Sequence, residues 1–200
     1  QERYAKLGIV GGPIVGDPTI VDFYAKEITT GDGRPTNEVQ ILLSDRTEPF
    51  VARVPVGASA GKLEAVHKVD GDMSRYDGQG TKKVADFLNR EVAPVFEGKK
   101  LSQLKEMGFE RLIDIDRFML AQEKKLAEAS GVIEPGDDLG KIKQVLQRKE
   151  HVGANAALPV SIAFLRLFAA MEGLWEWEYY QRERAMLGDP GNATTPESHG

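Results

Sequence analysis

Residues 20–54 read IVDFYAKEITTGDGRPTNEVQILLSDRTEPFVARV, and the fold follows from this stretch. Ile20, Val21, Phe23, Tyr24 and Ile28 make Ile20 to Thr29 rich in the β-branched and aromatic residues that suit a strand. Gly31-Asp32-Gly33-Arg34-Pro35 is a turn by composition. From Thr36 to Leu43, Val39, Ile41 and Leu43 fall on one face, with Glu38 and Gln40 on the other. After Ser44-Asp45-Arg46, Phe50, Ala52 and Val54 alternate against Val51 and Arg53. Three short strands joined by short polar turns predict an antiparallel meander.

On the N-terminal side, residues 1–19 read as an irregular lead-in broken by Gly11-Gly12-Pro13 and Gly16-Asp17-Pro18. On the other side, residues 55–80 are glycine-punctuated and nearly aperiodic, with a short turn of helix expected near Lys62 to His67. A loop of about 25 residues exceeds ordinary connections and is commonly functional. From Thr81 the spacing of Val84, Phe87, Leu88, Val92 and Val95 is helical, and Pro94 marks the expected far end. A second helix is expected over about Phe109 to Ala129. Residues 131–149 read as a charged, exposed insertion with a short helix around Ile142 to Leu146. Asn155 to Met171 is apolar nearly all round, as a buried helix is. Leu174 to Leu187 is an aromatic-rich amphipathic helix, followed by a polar tail from Gly188. Strands first and helices after make this an α+β domain.

Composition narrows the function classes. The chain has 200 residues, 41% hydrophobic and 28% charged, a globular rather than a disordered balance. It contains no cysteine, which removes thiol nucleophiles, thiolate metal sites and disulfides. With 26 Lys+Arg against 31 Asp+Glu the net charge is −5, so no whole-molecule attraction to nucleic acid is expected. The longest uncharged apolar stretch, Val152 to Leu165, falls short of the roughly 20 residues of a membrane span, so no membrane insertion is expected.

Local patterns carry little chemistry. Gly57-Ala58-Ser59-Ala60-Gly61-Lys62 ends in Gly-Lys but lacks phosphate-loop spacing and the following Ser/Thr. Such a loop still offers backbone N–H groups and one hydroxyl to an anion or metal, against the plainer reading of a structural turn. His67 reads as a packing or surface residue before it reads as a ligand. Asp114 and Asp116 are two residues apart on a helix and do not share a face. Trp175, Trp177, Tyr179 and Tyr180 cannot all face one core, so Trp175, Trp177 and Tyr180 are candidates for a partner surface.

Several segments match one family in order. Tyr24-Ala-Lys-Glu-Ile, Gly33-Arg-Pro-Thr-Asn-Glu38-Val, Val54-Pro-Val-Gly-Ala-Ser-Ala-Gly61, Glu64-Ala65, Arg75-Tyr76-Asp-Gly-Gln-Gly80, Ala93-Pro94, Ile115-Asp116-Arg117 and Gly153-Ala-Asn-Ala156 resemble the N-terminal domain of enolase. The resemblance spans roughly Ile20 to Leu187. It implies a three-stranded meander and helices capping a separate β/α barrel, with an insertion at about 123–150 before the last two helices. It also implies that Gly57, Ala58 and Ser59 line a loop that closes over substrate, and that Ser59 ligates magnesium when a barrel partner is present. A hard cation takes oxygen ligands, and a serine hydroxyl and carbonyl are both of that kind.

The departures from that pattern lie in the same places. Val56 and Ala60 stand where the family has hydroxyls, Asp32 reverses a charge, and Pro159 replaces a glycine. Only 13 residues follow Leu187, against about 250 for a β/α barrel. The family's general base and its acidic metal ligands belong to that barrel. The expectation is therefore a non-catalytic structural or interaction subunit, binding no cofactor by itself and working through a protein partner. The alternative is the N-terminal part of a magnesium-dependent phosphopyruvate hydratase, the glycolytic lyase that converts 2-phosphoglycerate to phosphoenolpyruvate. Cytoplasmic location is expected. Long insertions and eroded loops also resemble enolase-like proteins of sperm and cilia, which adds the axoneme as a second compartment.

Overall fold

The computed structural model describes residues 14–57 and 64–188. Strands β1 (Ile20–Thr29), β2 (Pro35–Leu43) and β3 (Phe50–Arg53) form one antiparallel sheet in that order, the expected meander. Register brings Phe23, Ile41 and Phe50 into one cross-strand row and Ala25, Val39 and Ala52 into the next. These residues are all buried, so one face of the sheet is the core face. The alanines beside Val39 keep that row shallow where a helix lies across it.

The helices follow. They are α1 (Lys82–Phe87), a π turn (Leu88–Val92), α2 (Ala93–Phe96), α3 (Leu101–Glu106), α4 (Leu112–Ala129), α5 (Leu139–Arg148), α6 (Ala154–Met171) and α7 (Glu176–Met186). α6 packs across β2 and β3, and α4 and α7 pack on α6. α6 is long and apolar enough to cross a membrane by composition, but it is the central core helix here, with Ala156, Val160, Ala163, Phe164 and Leu167 fully buried. Arg166 within it donates from Nη1 to the Val51 carbonyl of β3.

The outer edge of β1 is paired at Ile20 with the backbone of Gly98 and Lys99 (both 2.8 Å) and farther along is covered by side chains. Asn89 in the π turn accepts the Ala25 N–H (2.7 Å) and donates to the Ala25 carbonyl (2.8 Å). Glu97 accepts the Phe23 N–H at 3.0 Å. An amide can satisfy both backbone groups of an edge residue, and an edge so occupied is closed to strand addition.

Four expectations need correction. Pro94 does not end the helix: it sits in the first turn of α2, where a missing N–H costs nothing, and Phe96 is the last helical residue. α3 was not anticipated, because its six residues are too short to show periodicity. Glu64 to His67 is not helical, and Lys62 and Leu63 lie outside the described residues. The helix expected at Ile142 to Leu146 extends over Leu139–Arg148, while the preceding helix ends at Ala129 as expected.

Phe96 is the hub of the core, with ring centroids 4.7 Å from Phe164, 5.1 Å from Phe109, 5.5 Å from Phe118 and 5.9 Å from Phe23. It therefore joins sheet, α2, α4 and α6. Phe96→Ala is expected to destabilise the fold by about 3–5 kcal/mol, measured by urea unfolding. A loss below about 1 kcal/mol would show that the cluster repacks around the deletion.

Candidate functional site

The loop that leaves β3 is held at both roots, and the two roots use different chemistry. The first is built by the β1–β2 turn. Gly33 adopts φ +80, which closes the turn so that its N–H donates to the Thr30 carbonyl (2.9 Å). Asp32 accepts from Arg34 Nε at 2.8 Å and from the Thr30 hydroxyl. The Arg34 guanidinium and then the Thr30 hydroxyl hold the Asp32 carboxyl down to about 2. So fixed, Arg34 donates from Nη1 to the Gly57 carbonyl at 3.0 Å. The charge reversal at Asp32 thus has a local partner.

The second root is the segment Glu64 to Lys68. Val66 donates to the Arg148 carbonyl at the end of α5 (2.7 Å) and accepts from Ala154 at the start of α6 (2.7 Å). Asn155 Oδ1 accepts the Lys68 N–H at 2.8 Å, and its amide nitrogen donates to the Lys68 carbonyl (3.0 Å) and to Asn37 Oδ1 (2.8 Å). Close approach at this point demands glycine. A Cβ at Gly153, where φ is +94, would lie 2.7 Å from both Asn155 Oδ1 and Lys68 Cβ.

Asn155 belongs to a longer buried chain of polar groups. Asn37 Nδ2 donates to the Thr81 carbonyl (3.1 Å), the Thr81 hydroxyl to the Thr36 carbonyl (3.1 Å), and the Thr36 hydroxyl to the Val54 carbonyl (2.8 Å). All four side chains are buried. The chain runs from the end of β3, through β2 and the head of α1, to the second loop root. Buried polar groups satisfied in this way define one arrangement rather than several.

The residues singled out in the sequence are placed as follows. Gly57 is exposed and held by Arg34. Ala58 and Ser59 lie outside the described residues. His67 is half-buried beside the start of β2, and burial pushes its imidazole down. Asp114 accepts the Arg111 N–H (2.9 Å) as a helix cap, whereas burial pushes the Asp116 carboxyl up, so the two do different work. Trp177 and Tyr180, three residues apart on α7, are about half exposed. Trp175 caps α7, is partly buried, and donates its N–H to Glu178 Oε2 at 2.8 Å. Tyr179 faces inward against Phe168 with its ring under the Arg182 guanidinium, and burial raises its hydroxyl to about 12.

Magnesium needs several oxygen ligands. Among the described residues no group of three or more His, Asp or Glu could hold a metal ion, so these residues do not fit a complete magnesium site by themselves. Sequence reading missed Thr36, Asn37 and Thr81. The one local signal is Asn37, a polar residue on the face that Val39, Ile41 and Leu43 otherwise make apolar.

Asn155→Ala is expected to cost about 1–3 kcal/mol, because the Lys68 N–H and carbonyl and the Asn37 carbonyl oxygen lose their partner. Hydrogen exchange should accelerate at Lys68 and Val66 and stay slow at Ile41; unchanged protection at Lys68 would show that the stem is held by other contacts.

The family model for the enolase N-terminal domain matches residues 20–125. That span takes in the whole sheet, the loop with both of its roots, and the helices through most of α4, with the three-stranded antiparallel order observed here. The chain belongs to the enolase family, as its N-terminal domain.

Proposed function

We propose that toward phosphoglycerate this domain acts by contact rather than by chemistry of its own, as an enolase-type capping and interaction module that is non-catalytic in that reaction. The observation that carries this is the two-root suspension of the loop. Arg34 grips Gly57, while Asn155, Ala154 and Arg148 grip the stem at Val66 and Lys68. A loop whose two roots are both fixed suits a lid over a site that another body provides. Ser59 lies between the roots and is the oxygen donor that the family pattern assigns to magnesium. A β/α barrel of the same family is the partner that would supply the remaining ligands, the general base and the bound phosphoglycerate.

The half-exposed Trp177 and Tyr180 support a protein-contact role, because large aromatic side chains with polar tips are enriched at interface centres. Trp175, beside them at the helix cap, is the third candidate for that surface. The second reading, a domain of a working phosphopyruvate hydratase, is favoured by the same loop suspension and by the retention of Ser59. Both readings share the lid role and differ in whether the partner barrel completes catalysis.

Two measurements test this. The 200-residue chain, given 2-phosphoglycerate and magnesium, should form no phosphoenolpyruvate; turnover that disappears on Ser59→Ala would overturn the reading. Titrated with a separately produced enolase barrel domain, the chain should bind, and Trp177→Ala should weaken that binding by about 2 kcal/mol. Equal affinities of the two chains would remove α7 from the contact surface.

A further inference from the structure

Away from the loop, the end of α4 and the segment following α5 bring three side chains into line. Glu123 is fully buried, and its carboxylate accepts the backbone N–H groups of His151 (3.1 Å) and Val152 (2.6 Å). The same carboxylate lies 2.9 Å from His151 Nδ1. A carboxylate that accepts backbone N–H groups has lone pairs to offer, so in the neutral imidazole the proton sits on Nδ1 and Nε2 is bare. Ser130 Oγ lies 3.0 Å from that Nε2. The bare Nε2 is thus an acceptor within reach of the hydroxyl, and a carboxylate, an imidazole and a hydroxyl stand in the order and spacing that activate an alcohol oxygen.

Ser130 Oγ also donates to the Ala127 carbonyl oxygen at 3.0 Å, so its single hydrogen is shared between that carbonyl and Nε2. Ser130 is exposed at the last turn of α4. His151 and Val132 line an open groove of about 470 Å³ completed by Gln144, Val145, Arg148 and Glu150. Its two valines suit a short acyl chain.

We propose that Ser130 is an activated nucleophile, positioned by His151 and Glu123, that accepts acyl groups from small carboxylic esters with good leaving groups. In the step, Oγ forms a bond to the ester carbonyl carbon while its proton passes to His151 Nε2. The bond from that carbon to the leaving oxygen then breaks. The alcohol or phenol departs with the proton, and the acyl group remains on Ser130; nothing is oxidised or reduced. The Gly131 and Val132 N–H groups are already given to the Glu128 (3.0 Å) and Ala127 (2.9 Å) carbonyls. They offer nothing to a developing oxyanion, which confines the reaction to activated esters, whose attack needs least help of that kind.

The test incubates the whole chain with p-nitrophenyl butyrate or a fluorophosphonate probe and locates adducts by peptide mass mapping. One adduct on Ser130 is expected, absent in Ser130→Ala and formed about 100-fold more slowly in His151→Gln. The charged groups around the His151 imidazole are Glu123 from α4, Lys68, whose ammonium donates to the His151 carbonyl, and Arg148 and Glu150 along the groove. Adducts spread over several hydroxyls, no adduct, or an equal rate in a folded His151→Gln chain would overturn the proposal. If His151→Gln does not fold, the native chain is compared with the same chain in urea; equal labelling of Ser130 in both overturns it, and loss in urea supports it.

Discussion

The buried side-chain amide of Asn155 is the constraint on which the arrangement of sheet, loop stem and core helix depends. An amide placed in an apolar core is tolerated only when its hydrogens and its oxygen are engaged. Here both hydrogens and the oxygen are engaged, by Asn37 on the central strand and by the backbone of Lys68 on the loop stem. One side chain from the first turn of α6 thereby fixes the start of the core helix against β2 and against a segment 87 residues away in sequence. Gly153 completes the constraint, because any side chain there would collide with the amide it precedes.

The consequence is that both roots of the loop are fixed to one buried base. Thr36, Asn37 and Thr81 carry the polar chain onward from Asn155 to the end of β3, so both ends of the loop are referred to the same buried network. α5 enters this system at its C-terminal end: the Arg148 carbonyl receives the Val66 N–H and its guanidinium reaches the Glu64 carbonyl (3.4 Å). α5 is thus coupled to the loop stem, although none of its own residues is buried. A ligand or partner that displaced α5 would act on the stem through two hydrogen bonds.

The same segment is tied down from below by Glu123. A buried carboxylate is costly unless donors surround it, and the turn after α5 is shaped to bring the His151 and Val152 N–H groups to it. Lys68 closes the circle by donating to the His151 carbonyl. Loop stem, α5 and the Glu123–His151–Ser130 line are therefore neighbours in one polar region at one end of α6.

Strand periodicity over residues 20–54 and the apolar run of α6 determined the α+β class, the meander and the buried helix, because one-sided burial writes itself into spacing. Motif blocks such as Gly57-Ala58-Ser59 and Gly153-Ala-Asn-Ala156 determined the family. The helix through Pro94 and the short α3 were not legible, since a proline is harmless in a first turn and six residues hold less than two turns. The polar chain through Thr36, Asn37, Thr81 and Asn155, and the meeting of Glu123 with Ser130 and His151, were decided by tertiary structure alone. Each joins side chains far apart in sequence, and a hydrogen bond depends on distance and direction in space, which no local pattern encodes.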